Sequence, residues 1–429
     1  MCASGPTWRD SLSKRILLDN GAYEIKFSAA SELKPSTMFN AVGKDKKSRA
    51  VYAGNKLFEE LENGHSNMQI TYPIIRGLLH DSDLETVIWK QIFSKFKKLE
   101  ERASCLAITL PPVLPDIVQN RFAELVFEDF EFDALFMSST HSMIREAALL
   151  EHPLNLGSNS PNPSHQCEYV IDSGFSFTYG MPFFNGKPMK YAATRIDVGG
   201  KLLTNLLNET ISYKEINLQG ETHLVNDIKE QLCFVSTQFQ KDMDICQQPV
   251  NPIVKEYVLP DYKTNKRGQI RDPVPQVSQQ KQDQDFFDQI NTSKQHQSQA
   301  IRVNNERFSI PEVIFTPSDI GINEAGLPEM IAQSISKCPS VMERQLYQNV
   351  IIAGGNTLLT GLKERLENDL QQYKPDNSES KVYELTSPVT SAWKGLRHFC
   401  QNRNNFEEFV VTRREYQEEG YRILKKFYL

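Results

Sequence analysis

Two short segments of this chain repeat one pattern. Ile16-Leu17-Leu18-Asp19-Asn20-Gly21 and Tyr169-Val170-Ile171-Asp172-Ser173-Gly174 each run from apolar residues into an Asp, a small polar residue and a Gly. A β-rich stretch follows both, and the two aspartates lie 153 residues apart, near the starts of two halves. Short apolar runs are the signature of strands buried on both faces. Each segment therefore predicts a core strand ending on a carboxylate. A third run, Val350-Ile351-Ile352-Ala353-Gly354-Gly355-Asn356, ends on paired glycines and leads at once into a helical pattern. One Asp-x-Gly alone is usually an ordinary turn. Two copies in matched strand contexts, with Gly-Gly-Asn in the second half, constrain the chain far more. It must build two similar α/β halves around such loops.

The chemistry that suits these loops is phosphate binding. An Asp at a strand tip holds a hydrated Mg²⁺ or orients a water. The Gly after it lets a tight turn bring backbone N–H groups close to anionic oxygens. A Gly-Gly pair before a helix offers N-terminal amides to an anion.

The rest of the chain reads as mixed α/β. Further strands are expected at residues 15–18, 106–110, 169–171 and 350–353. Leu84, Val87, Ile88, Ile92 and Phe96 recur at helical spacing, with Ser82 and Glu85 reading as a capping box. Val225, Ile228, Leu232 and Val235 form a second helical face, and Leu359, Leu362, Leu366 and Leu370 a third. Two segments read as insertions. Residues 157–166 are rich in Ser, Asn and Pro and predict a loop. Residues 263–299 are longer, and from Gln276 to Gln299 hold nine glutamines in 24 residues. Such a tract buries too little surface to offset its ordering entropy. Its Phe286-Phe287 pair reads either as incidental to a linker or as a docking anchor.

Composition narrows the function classes. A length of 429 residues implies two to four compact units. With 48 basic against 54 acidic residues the net charge is −6, which gives no support to a dedicated nucleic-acid-binding domain. The clusters Lys44, Lys46, Lys47, Arg49 and Lys95, Lys97, Lys98 read first as solvated lysines. No apolar run reaches membrane-spanning length, and the start, Met1 to Pro6, lacks a secretory leader pattern. The seven cysteines are scattered without a Cys-x-x-Cys pair, and the eight histidines show no His-Glu-x-x-His. Neither a protein-ligated metal nor a redox motif is expected, and the compartment is cytosolic or nuclear.

At these loops the sequence resembles the actin superfamily over almost its whole length. Tyr72-Pro73-Ile74-Ile75-Arg76-Gly77, Arg195-Ile196-Asp197-Val198-Gly199-Gly200 and Asp227-Ile228-Lys229-Glu230-Gln231-Leu232-Cys233 match, in the family's order. So do Glu306-Arg307-Phe308-Ser309-Ile310-Pro311-Glu312, Phe315-Thr316-Pro317-Ser318-Asp319-Ile320-Gly321 and Val411-Thr412-Arg413-Arg414-Glu415-Tyr416. Asp19-Asn20-Gly21-Ala22-Tyr23, Glu256-Tyr257-Val258-Leu259-Pro260-Asp261 and Ala392-Trp393-Lys394-Gly395 are most similar to a nuclear actin-related class. The resemblance implies an actin-like α/β fold of two lobes, with duplicated RNase-H-like cores around a nucleotide cleft. The first lobe is expected at 1–165 with a return segment at 388–429, and the second at 166–387, carrying the insertion at about 263–299. It also implies a structural subunit of an SWR-type chromatin remodeller, in the nucleus with some in the cytoplasm. There it would support histone-variant exchange beside a separate remodelling ATPase and other subunits, reaching histones or the nucleosome indirectly.

The resemblance assigns nucleotide-site positions to Asp19, Asn20, Gly21 and Lys26, to Asp172, Ser173 and Gly174, to Gly200, Asn226, Lys229 and Glu230, and to Gly354, Gly355 and Asn356. ATP, with or without Mg, is the implied cofactor. The family's first loop continues with Ser and Gly where this chain has Ala22 and Tyr23; the second carries an Asp where this chain has Phe175 and a Gly at Ser176. Its water-organising His matches Tyr179, its Gln falls near Thr140, and its adenine-side aromatic matches Leu359. Lys229 and Glu230, on a helix, read alternatively as a solvated charged face. Phosphoryl transfer depends on positioned water and neutralised charge, so no catalytic residue and no metal ligand is assigned. The expected protein is a non-catalytic interaction subunit that holds an amphipathic helix of its partner. An actin-fold ATPase is the alternative that Phe175 opposes. A cytoskeletal, filament-forming protein is opposed by a shortened stretch between Val42 and Ile70, by Arg76, and by the insertion.

Overall fold

The computed structural model describes residues 8–9, 11–65, 67–96, 104–152, 167–248, 251–263, 265–273 and 299–427. The loop expected at 157–166, the glutamine tract up to residue 298 with Phe286-Phe287, and Lys97 and Lys98 lie outside the described residues.

The strand Arg15–Asn20 is buried along its whole length. It pairs in parallel with Cys105–Leu110, placing Asp19 opposite Thr109, and that strand pairs in parallel with Ala134–Ser139. On its other side Glu24–Ala29 and then Ser36–Phe39 add antiparallel. Val411–Thr412 closes the far edge beside Ala134–Ser139, so the chain's last segment returns to its first sheet.

A second sheet repeats this plan. Cys167–Ser173 pairs antiparallel with Thr178–Phe184 and in parallel with Val350–Ala353, which pairs in parallel with Val382–Glu384. Asp19 and Asp172 thus end equivalent strands, each flanked by a hairpin partner on one side and a parallel strand on the other. The apolar runs before them are buried on both faces, as strands covered by helices must be.

Two helices, Thr140–Glu151 and Ser391–Gln401, join the lobes. They touch backbone to backbone: a Cβ on Gly395 would stand 1.7 Å from the Met143 carbonyl oxygen. One apolar core spans the junction, taking Leu17 and Phe136 from the first sheet, Val170 and Ile351 from the second, and Trp393 from the joining helix. Arg145 forks onto Glu168 there, with Nε and Nη2 donating at 3.2 and 3.1 Å. The lobes are welded at this level and separate above it.

Each lobe carries a smaller sheet beside the opening. Val42–Asp45 pairs with Val51–Ala53 and Met68–Thr71, next to the helix Asn55–Glu62. In the second lobe Lys255–Val258 pairs with Gln269–Arg271 and Ala300–Val303. The start of the insertion expected at 263–299 is therefore ordered, while its glutamine tract lies outside the described residues up to 298. Residues 269–271 add a strand to Lys255–Val258, and Gly268 lies against the ring of buried Tyr257.

The expected elements recur with three shifts. The helix beginning at Ser82 is capped by Asp81, whose carboxylate accepts from the Asp83 and Leu84 amides at 3.1 and 3.0 Å. Glu85 of the expected capping box is instead fully buried, because the apolar face it follows turns that position inward. Val235 lies beyond the helix Thr222–Leu232. Gly354-Gly355-Asn356 does not enter a helix at once: a 3-10 turn covers Gly355–Leu358, and the helix starts at Leu362, after Gly361. Among the described residues no helix is long and apolar enough to cross a membrane.

Candidate functional site

Between the lobes lies a cavity of 530 Å³. Thirteen of the fourteen expected positions line it: Asp19, Asn20, Gly21, Lys26, Asp172, Gly174, Gly200, Asn226, Lys229, Glu230, Gly354, Gly355 and Asn356. Ser173 does not. It is buried, its hydroxyl meets Thr178 Oγ1 at 2.7 Å and accepts from Asn356 Nδ2 at 3.1 Å, because alternation along the strand turns it away from the Asp172 side.

The two strand-end carboxylates press on each other. Asp19 accepts from Thr109 Oγ1 at 2.6 Å, and burial raises its pKa against the pull of Lys26. Asp172 is pushed up to about 7, first by burial and then by the Asp19 charge. Two acids arranged this way share a proton or a cation near neutral pH. Lys26, the nearby cation, donates to the Glu24 carbonyl at 3.3 Å. Gly354, at φ +94°, is required by the close pass of the second loop: a Cβ there would stand 2.3 Å from the Ser173 carbonyl oxygen and 2.7 Å from the Asp172 carboxylate. Gly355 has nothing within 4 Å of its Cβ position and opens onto the cavity.

The opposite wall is held from within. Lys229 is buried rather than part of a solvated face. Its ammonium donates to the Gly200 carbonyl at 3.1 Å, Thr204 Oγ1 at 2.9 Å and Asn226 Oδ1 at 2.8 Å, while burial lowers its pKa. Glu230 is exposed and accepts from Asn226 Nδ2 at 2.7 Å. The first amides of the helix Gly200–Lys214 are already taken: Gly200 and Lys201 donate to the carbonyls of Gly174 and Phe175, each at 2.9 Å. That glycine pair seats the second loop. Asn356 Nδ2 also reaches the Gly174 carbonyl at 2.9 Å, tying the third loop to the second.

The substituted positions meet across the cleft. The Tyr23 ring of the first loop lies 5.0 Å from Phe175 of the second, and Tyr72 lies 5.3 Å from Phe175 on another side. Tyr23 also packs edge-on against Phe39 at 5.1 Å, and Lys201 caps the Tyr72 ring at 5.0 Å. Burial drives the Tyr23 hydroxyl's pKa up and pushes Tyr72 to about 12, so both stay neutral. Below them Gly77, at φ +76°, accepts Phe177 so closely that a Cβ would meet its ring at 2.1 Å. Thr140 donates to the Leu110 carbonyl at 3.0 Å. Its neighbour His141 is buried against the Tyr179 carbonyl at 3.0 Å, and burial pushes its pKa down to about 4.

One wall had no signal in the sequence. Residues 262–263 and 265–268 reach from the second lobe to the first. Tyr262 covers Gly64, whose Cβ would stand 2.6 Å from its ring. Lys266 donates to Asn63 Oδ1 at 3.0 Å, and Arg267 pairs with Glu62 at 3.6 Å. Beside this strap Phe58 meets His223 at 5.0 Å. All but Asn63 and Gly64 line the cavity. These partners lie some 200 positions apart in the chain, and no local pattern connects them. Among the described residues no three His, Cys, Asp or Glu side chains are grouped to hold a metal.

A model of the family described as Actin matches residues 11–427. The chain is similar to Actin-related protein 6 of Arabidopsis thaliana, 34% identical over 95% of this chain and 98% of that protein. It is 33% identical to Actin-like protein arp6 of Aspergillus fumigatus, over 97% of this chain and 95% of the other. Actin-related protein 6 of Drosophila melanogaster is also 33% identical, over 95% of this chain and 97% of its own length.

Proposed function

The chain belongs to the actin family, and from that premise we propose that it is a non-catalytic structural subunit of a nuclear SWR-type chromatin-remodelling complex. In this role it supports histone-variant exchange by holding partner chains, and ATP turnover belongs to a separate motor subunit. The observation that carries the non-catalytic reading is Phe175. It follows Asp172-Ser173-Gly174, and its ring packs on Tyr23 and Tyr72 across the cleft. An aromatic side chain neither holds a metal-bound water nor aligns an attacking one, and phosphoryl transfer needs both.

The residues still fit a purine nucleotide. The Asp19–Asp172 pair is short of positive charge, Gly355 leaves open space, and the cavity is of ligand size. A bound nucleotide with its cation would supply charge that relieves the two acids. Lys26 would face the anion, Asn226 and Glu230 the sugar and base, and Leu359 would pack on the base without stacking. Held this way, ATP serves as a structural plug between lobes already joined by rings and strap.

The partners of this reading are a remodelling ATPase, through an amphipathic helix, and other complex subunits. Nucleosomal histones are reached indirectly, and no filament or membrane contact is involved. The resemblance to the nuclear actin-related class carries these assignments, together with nuclear localisation and a cytoplasmic fraction. Purification of a tagged copy from nuclear extract, with mass spectrometry of the recovered chains, tests them. A remodelling ATPase and histone-variant subunits near one-to-one are expected. Recovery alone or with cytoskeletal chains overturns the assignment. Single-turnover assays are expected to show no ATP hydrolysis above background, and measurable turnover returns the chain to the actin-fold ATPases.

A further inference from the structure

Beneath the first loop lies a polar cluster. Glu85, on the helix Ser82–Ser94, is fully buried. Asn20 at the end of the first strand, Asn40 after the strand Ser36–Phe39, and Trp89 of its own helix lie near its carboxyl and each pulls its pKa down, against the larger push of burial. Among the described residues neither Glu85 oxygen, nor Asn20 Nδ2, nor Asn40 Oδ1 has a direct hydrogen-bond partner, and all four are shielded from solvent. Native proteins satisfy such atoms through each other, a proton or an enclosed water.

The orientation of both amides is dictated by partners that cannot change roles. Trp89 Nε1 only donates, and it reaches Asn20 Oδ1 at 3.2 Å; Asn20 is left with its Nδ2 donor. The Gly21 carbonyl only accepts, and it takes Asn40 Nδ2 at 3.0 Å; Asn40 is left with its Oδ1 acceptor. The atoms of this cluster left without a direct partner are therefore the two Glu85 oxygens, one donor and one acceptor. A carboxylate has acceptors alone and would set an anion against Asn40 Oδ1, whereas a protonated carboxyl offers one of each. The charges nearest in the chain are otherwise occupied. Asp81 caps the helix and Asp83 is exposed at its start, and Asp19 is engaged by Thr109 and Lys26.

We propose that Glu85 is a positioning residue for the first loop and acts as the neutral acid, its O–H serving Asn40 and its carbonyl oxygen serving Asn20. Asn40 then keeps its hold on the Gly21 carbonyl, and Asn20 keeps its place in the cleft wall. Burial favours the same form and outweighs the opposing pull of Asn20, Asn40 and Trp89, so that the Glu85 pKa is pushed up to about 7. A carboxyl whose proton is held more tightly in the folded chain contributes stability that is full below its unfolded value of 4.5. That stability is lost as pH rises through the folded value.

The test is thermal unfolding of the full ligand-free chain from pH 5 to pH 9, as wild type, Glu85→Gln and Glu85→Ala. Glutamine reproduces the donor and acceptor of the neutral acid and cannot ionise. Glu85→Gln is expected to match wild type near pH 5 and to melt several degrees higher at pH 8–9, with Glu85→Ala below Glu85→Gln throughout. A gap between wild type and Glu85→Gln that is constant with pH, or a wild type more stable at pH 8–9, overturns the proposal. If the alanine variant does not fold, the wild type–glutamine comparison decides. The effect on ligands rests on the reading of the cleft as a nucleotide site, and ADP titration probes it separately. Wild-type affinity should fall several-fold more from pH 6 to 8.5 than that of Glu85→Gln, which keeps the share set by Asp172. If no variant binds ADP, the cleft reading fails and the thermal comparison still decides the role of Glu85.

Discussion

At the scale of single residues the cleft is a balance between charges that lack partners and rings that fill space. Asp172 is the clearest case. Its pKa rises from 3.8 to about 7 through burial and the Asp19 charge. The folded chain therefore holds a proton that the unfolded chain releases, and stability present below about pH 4 is lost as pH rises toward 7. In cation-free buffer Asp172→Asn is expected to melt a few degrees above wild type at pH 7.5, and the two should converge near pH 4. Added Mg²⁺ should raise the wild-type Tm and leave that of Asp172→Asn nearly unchanged. An equal Mg²⁺ response of both proteins in the same melts would dismiss a cation between these acids.

Elements decide how the two walls are held together. The strap of Tyr262, Lys266 and Arg267 stands at the start of the insertion expected at 263–299, ahead of its glutamine tract, and packs on the opposite lobe. Its polar contacts, the hydrogen bond from Lys266 to Asn63 and the ion pair of Arg267 with Glu62, are exposed, and a surface ion pair contributes roughly 0–1 kcal/mol. Tyr262 against Gly64 is the contact that removes apolar surface from water. Tyr262→Ala should therefore speed hydrogen exchange at residues 61–64 while shifting Tm little, whereas Arg267→Ala should change neither. Faster exchange in Arg267→Ala alone would reverse that ranking. The helix beginning at Ser82 shows how an element can be foreseen and its details missed. Its period placed Ile88 and Ile92 on the buried face, but Val87 is exposed, Phe96 lies past the helix end, the cap is Asp81, and Glu85 turns inward to a role no capping pattern describes.

For the whole molecule, stability depends on the weld below the cleft. Arg145, on a joining helix, is forked on Glu168 of the second sheet and nearly excluded from water. Breaking such a pair on one side leaves a buried charge and costs about 3–5 kcal/mol. Arg145→Ala is expected to lower unfolding free energy by that amount in urea titration, with Glu168→Gln less severe because the Arg145 charge left behind keeps Glu146 at 3.5 Å and can still donate to the glutamine carbonyl. If Arg145→Ala costs no more than about 0.5 kcal/mol, the range of surface sites, the weld does not depend on this pair. The rings of Tyr23, Phe175 and Tyr72 and the strap are contacts above the weld. They oppose the rigid-body opening that a cycling enzyme needs to exchange nucleotide.

The repeated strand–Asp–Gly pattern determined, with no structure in hand, that two similar α/β halves would present carboxylates at equivalent strand ends. Buried strands and tight turns are local, and their residue types carry the signal directly. Most of the expected cleft positions were legible for the same reason, since they sit on those loops. Only the tertiary structure decided what fills the space between them. Tyr23 meeting Phe175, Arg267 meeting Glu62 and Glu85 meeting Asn20 and Asn40 are pairings of residues far apart in the chain. Ser173, one position from Asp172, faces the other way because a strand alternates its side chains. Such contacts follow from how the two lobes pack, and no local run of residues encodes them.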